Sequence, residues 1–176
     1  MQYPIGRFEM PDFATAEANR LDYVKAIGAL PADFAAAARK LKENNLLEAR
    51  YREGGWTARQ VIHHVADSHT NAYVRHKRVL TEDHPTITPY DEQRWAELPD
   101  VTAVPIEASL AMLEHMQLRW ATVLATCTDA QWLRTAYHPG SQREYRLDQL
   151  AAQYTWHGRH HLGHLEVILG ANGLLA

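Results

Sequence analysis

Apolar residues recur along this chain at helical intervals. Between Ala14 and about Asn44, Leu21, Val24, Ile27, Leu30, Phe34, Ala38 and Leu41 return every three to four positions, the spacing of one buried helix face. Pro31 interrupts that run, either as a kink or as the first residue of a second segment. Glu53-Gly54-Gly55 reads as a loop. Thr57-Ala58-Arg59-Gln60 then matches the Thr-x-x-Gln capping box and opens a second helix to about Leu80. Val61, Val65, Ala72 and Val79 form its core stripe. Pro105 suits the first turn of a third helix, carried by Ile106, Leu110, Leu113, Leu118 and Leu124 to about Cys127.

Thr128-Asp129-Ala130-Gln131 is another capping box, predicting a short helical turn. His138-Pro139-Gly140-Ser141 predicts a turn. Leu147 to Leu169 is the fourth long helix, with Asp148 favourable at its N-terminus and Gly170 as its stop. Between the second and third helices, residues 84–104 carry Pro85, Pro89 and Pro99. That stretch predicts a long connection with little regular structure, a common place for functional loops. No strand pattern of useful length and no repeat is found. The fold expected is all-α, a four-helix bundle in one domain over residues 1–176.

Composition narrows the function. The chain has 176 residues, 46% hydrophobic and 22% charged, with a formal net charge of −3, ordinary for a globular protein. No Lys/Arg-rich run is present, so no nucleic-acid footprint is expected. No apolar run approaches a membrane span. Nothing near the first residue resembles a basic region followed by an apolar one, and the cytoplasm is the expected location. Cys127 is the only cysteine, which excludes an internal disulfide and a thiolate zinc site. Any metal must be held by His, Asp or Glu.

The candidate chemistry lies in the histidines. Of eleven, four fall in the eight residues from His157 to His164. On a helix, His160 and His164 form one i, i+4 pair and His157 and His161 another. Spacing alone leaves both pairs open as metal ligands. A second cluster, His63-His64 with His69, lies on the second helix. His64 falls about 60° from Val61 on a margin of the core stripe, beside Ser68, Asn71 and Arg75. His63 is expected further towards solvent, and His69 and His76 as core or boundary histidines. Three imidazoles with an open position are the ligand set of a catalytic zinc site. This is not the His-Glu-x-x-His zincin helix, because position 161 is His. Asp67, one turn beyond His63 and His64, could orient a ligand imidazole, although a solvent-facing helix Asp is an equal alternative. Cys127 has no neighbour that would activate it, and Trp56 is expected to pack at the start of the second helix.

Three segments carry a family resemblance: Gly54 to His69, Leu80 to Tyr90 with Trp95-Ala96-Glu97-Leu98, and Tyr154 to His164. Together they resemble the DinB/YfiT-like family of metal-dependent bundle proteins, its YfiT branch in particular, over nearly the whole chain. The resemblance implies a four-helix bundle binding one divalent ion, Zn²⁺ or Ni²⁺, through His64, His160 and His164. Asp67 and His157 are then candidates for support around the ligands. It also implies an enzyme. The family carries the label metal-dependent hydrolase, and its better understood members transfer low-molecular-weight thiols such as bacillithiol to electrophiles. The implied partners are a small-molecule thiol and an electrophile, or a hydrolysable substrate, with a homodimer as the assembly. A non-catalytic, metal-stabilised bundle is the competing class. Arg146 departs from the family, which tends to have a helix-capping Thr there.

Overall fold

In a computed structural model, which describes residues 1–175, helical structure starts at Phe13. The Asp12 carboxylate accepts from the Thr15 N–H at 2.7 Å and caps α1 (Phe13–Ala18). The chain breaks at Asn19 and resumes as α2 (Arg20–Glu43), which runs through Pro31 without ending. The helix expected from Ala14 to Asn44 is therefore two. Pro31 is buried within α2, where its ring has no N–H to give the turn before it.

Thr57 caps α3 (Ala58–Thr81) through the predicted box: its hydroxyl accepts from Gln60 N–H, and Gln60 Oε1 accepts from Thr57 N–H. The long connection contains two single turns, α4 (Glu92–Trp95) and α5 (Asp100–Ala103). The third long helix is α6 (Ile106–Ala125), and α7 (Asp129–Trp132) is the short turn opened by Thr128. A hairpin that periodicity did not show follows, β1 (Thr135–His138) and β2 (Arg143–Arg146). It is antiparallel, with Ala136 opposite Tyr145, and both residues are buried. His138 to Ser141 do form the turn. The hairpin also ties down the connection, since Ile87 N–H donates to the Tyr137 carbonyl at 2.8 Å.

The last helix is α8 (Leu147–Ala171). Arg146 offers no acceptor at its start, and the cap is made from the other side: Gln149 Oε1 accepts from Arg146 N–H at 3.2 Å. Asp148, fully buried, takes Arg20 at 2.9 Å and Arg146 from its own turn. In the bundle, α2 packs on α6 and α8, and α3 packs on the same two. One end of the core gathers Phe34, Leu41, Ile62, Leu113 and Leu165. The other gathers Ile27, Trp120, Leu124, Leu150 and Tyr154. The facing sides of α3 and α8 carry the histidines between them. Among the described residues no helix is long and apolar enough to cross a membrane.

Candidate metal centre

The α3 capping box sets the first turn of that helix, and His64 follows one turn on, facing α8. Its Nε2 lies 3.3 Å from His157 Nε2. One ring nitrogen each from His64, His157 and His161 falls within 4.8 Å of the others. His161 Nδ1 lies 3.3 Å from His164 Nδ1. The His160 ring centroid is 4.4 Å from that of His164, and the His64 centroid 4.7 Å from that of His161. Five imidazoles from two helices thus converge.

Aromatic residues and the N-terminal arm surround them. Tyr51 stacks on His164 at 3.8 Å, Trp156 on His160 at 4.5 Å, and Trp56 lies 4.6 Å from His64. The Gln2 carbonyl accepts from His164 Nε2 at 3.0 Å, and Tyr3 reaches the His160 ring. A Cβ on Gly163 would come within 2.9 Å of Pro4, so a glycine there lets the arm lie close. Trp56 Nε1–H donates to Gln93 Oε1 at 2.9 Å, joining the segment before α3 to α4. A cavity of about 220 Å³ opens between Tyr51, Arg52 and Trp56, with His160, His161 and His164 on its wall. A larger groove of about 510 Å³ between α2 and α8 is lined by charged and apolar residues alike and contains none of these histidines.

Burial keeps the cluster neutral. It pushes His64 and His160 down to about 4, helped in both by the His164 ring. His157 and His161 are held well below the ordinary histidine value, by burial first and by their neighbouring imidazoles second. Burial lowers His164 too, partly opposed by the Gln2 carbonyl. Neutral imidazoles present lone pairs, which is what a cation requires. His160 Nδ1 is buried with no hydrogen-bond partner among the described residues, a costly state for a polar atom unless something else engages it. An all-imidazole donor set suits Zn²⁺ or Ni²⁺, so the residues present fit such an ion.

The residues expected from sequence fall in several places. His64 stands in the cluster. The structure draws His157 and His161 nearest to it, while His160 and His164 flank them beside the cavity. His157, expected as support, sits inside the cluster, bonded to both His64 and His69. Asp67 is half-buried on α3 and makes no hydrogen bond to an imidazole. Its carboxyl is pushed up to about 6 by burial and then by Asp100. His63 is corrected: it does not face solvent but is buried, its Nδ1 2.8 Å from Ser109 Oγ, because α6 covers that side of α3. His69 and His76 are fully buried, as expected of core histidines. Trp56 is a wall of the site as well as a packing residue. Periodicity missed Tyr51 and the Gln2–Pro4 arm, which carry no local signal. It could have found Gln117, a polar residue at helical spacing among Leu113, Trp120 and Leu124.

Comparison with known proteins bears on this site. The model of the DinB superfamily matches residues 26–165. The chain is 38% identical over 165 residues to a Bacillus subtilis protein named "Putative metal-dependent hydrolase YfiT", covering 94% of this chain and 92% of that one. A Bacillus mycoides protein of the same descriptive name is 43% identical over 166 residues, covering 94% and 93%. The solved structure of Bacillus subtilis YfiT, described as having an unusual four-helix bundle topology, superposes with a TM-score of 0.92 at 37% identity. That match covers 99% of this chain and 98% of the other.

Proposed function

The chain belongs to the DinB superfamily, and from that premise we propose that it is a metal-dependent enzyme activating a small nucleophile at one divalent ion per chain. The observation that carries this is the convergence of neutral imidazoles from α3 and α8, with His160 Nδ1 buried and unpartnered among them. His64, His160 and His164 are the proposed ligands, for Zn²⁺ or Ni²⁺. His160 and His164 border the cavity, as a site with an exchangeable position requires. His164 Nε2–H donates to the Gln2 carbonyl, which leaves Nδ1 as the nitrogen with the lone pair, turned towards the other rings.

When bound, such an ion supplies Lewis acidity and makes a thiol or a water at its open position available as the anion near neutral pH. The protein does the rest. Tyr51 and Trp156 hold the rings of His164 and His160 by stacking. The arm and Trp56 restrict water. Arg52, the cation on the cavity wall, suits an anionic group on the nucleophile or its partner. The preferred reaction is transfer of a bacillithiol-type thiol to an electrophile; hydrolysis, the activity in the relatives' names, is the alternative.

The test is metal content and turnover in the wild type and in His64→Ala, His160→Ala and His164→Ala. Each protein is assayed for conjugation of a generic electrophile with bacillithiol, mycothiol and glutathione. One ion per chain, lost in each variant together with conjugation, supports the transferase. Metal without conjugation by any thiol turns the proposal to hydrolysis or to a structural ion. No metal taken up at all overturns it.

A further inference from the structure

Gln117 is a buried amide on the apolar face of α6, fully enclosed, with Oε1 unpartnered. A buried amide with half its capacity unmet weakens a core. Its one bond is therefore informative: Gln117 Nε2–H donates to His69 Nδ1. His69 Nε2 lies 3.2 Å from His157 Nδ1. His157 Nε2 in turn faces His64 Nε2 at 3.3 Å and Ser68 Oγ at 3.5 Å. A line of bonds thus runs from the middle of α6 to the candidate metal centre. Gly158 makes room for it, since a Cβ there would meet Leu30 and come within 3.1 Å of the His69 ring.

The line has a direction. A neutral imidazole has one N–H and one lone pair, and in this line each ring faces a partner on both of its nitrogens. The amide nitrogen of Gln117 can only donate, so His69 Nδ1 accepts and His69 carries its proton on Nε2. That proton is donated to His157 Nδ1. His157 must then carry its own proton on Nε2, the nitrogen facing His64. A ring nitrogen that holds a proton cannot ligate a metal. His157 is thus excluded as a ligand even though its Nε2 is within reach of the others.

We propose that Gln117 and His69 are positioning residues that hold His157 as its Nε2–H tautomer, a hydrogen-bond donor to the group bound at the centre and not a ligand of the ion. The donor role rests on the metal-dependent function proposed above; the tautomer does not. An N–H fixed in place beside a centre where negative charge develops stabilises that charge without reorganising.

The tautomer is directly observable by long-range proton–nitrogen NMR of the imidazole rings, with His157 assigned by its loss in His157→Gln. The wild type is expected to show His157 protonated at Nε2, both metal-free and loaded with Zn²⁺. In Gln117→Glu the carboxylate can only accept, so the line reverses and the His157 proton moves to Nδ1. Its Nε2 is then freed, and Zn²⁺ should bind more tightly while turnover falls with KM little changed. Gln117→Leu should leave His157 as a mixture of tautomers. A wild-type His157 with its lone pair on Nε2, or with Nε2 coordinated in the Zn²⁺ protein, overturns the proposal, and the wild-type spectrum decides this even if the variants do not fold. A tautomer unchanged in Gln117→Glu, with the carboxyl carbon shift showing the side chain ionised, also overturns it. A protein that binds no metal, with His157 still protonated at Nε2, sinks the proposed function and leaves the positioning intact.

Discussion

His76 and His160 are both buried imidazoles, both pushed down to about 4 chiefly by burial, and each has one unpartnered nitrogen. Their surroundings differ. His76 is sealed between Trp120 at 4.8 Å and Tyr154 at 6.1 Å, with Nδ1 bonded to the Ala72 carbonyl of its own helix. No second imidazole stacks on it. His160 lies against the rings of His161 and His164 at the edge of a cavity. Burial, a depressed pKa and an orphan nitrogen are thus not enough to define a site. Convergence of several donors and an approach from outside separate the two.

The largest test of that contrast is substitution at each. Removing a true ligand, in His64→Ala or His160→Ala, should weaken metal binding by well over the roughly 100-fold expected from losing an outer partner alone. The fold should persist, as judged by helical circular dichroism. His76→Ala should do the reverse. It opens a space in aromatic packing at a cost of about 2–4 kcal/mol, measured by urea unfolding, with metal affinity unchanged. If His76→Ala lost the metal, or His160→Ala kept it, the two neighbourhoods would not differ as described.

Acid should reveal what the two regions share. An unfolded histidine takes up its proton near pH 6.5, while folded His64, His76 and His160 resist until about 4 and His69 until about 3. The folded pKa is the lower one, so the unfolded state binds more protons between these values. The stability these histidines contribute is therefore complete above pH 6.5 and is lost as the pH falls towards 4. Each histidine kept neutral costs on the order of 1.4 kcal/mol per pH unit in that window. The urea midpoint should drop steeply from pH 6.5 to 4, and His76→Phe should make the drop shallower. Bound metal should move it to lower pH, since protons must first displace the ion. A midpoint flat across the window would mean that the native state charges these rings readily.

The two regions were unequally legible in the sequence. His76 could be assigned to the core because it falls among apolar positions at helical spacing. The second and fourth helices were also readable, within two residues at each end, from the Thr57 capping box and the apolar period. The metal centre was legible only in part. A helix places His157, His160, His161 and His164 on one arc, but which nitrogens meet depends on ring rotation and on what packs outside. Here the outside is the Gln2–Pro4 arm and Tyr51, more than a hundred residues away in sequence. His63 was misjudged for a similar reason, since α6 decides which side of α3 is covered. The hairpin escaped notice because strands of four residues are too short to show alternation.

The glycines of α8 extend the comparison at smaller scale. Gly158 faces the core, where an added methyl would press on Leu30 and His69. Both belong to packed helices, so Gly158→Ala should destabilise by about 1–3 kcal/mol despite the better helix propensity of Ala. It should also disturb the His69–His157 bond. Gly163 faces only the arm, where the methyl would press on Pro4. An arm can yield where a packed helix cannot, and Ala gains up to about 1 kcal/mol in a helix interior. Gly163→Ala should therefore change stability by less than about 1 kcal/mol, with either sign. Displacing Pro4 should loosen the Gln2 carbonyl from His164 and widen the approach to the cluster, so that a chelator removes the metal faster at unchanged global stability. If instead Gly163→Ala destabilised as much as Gly158→Ala, the arm would be a structural part of the bundle and not a cover over its histidines.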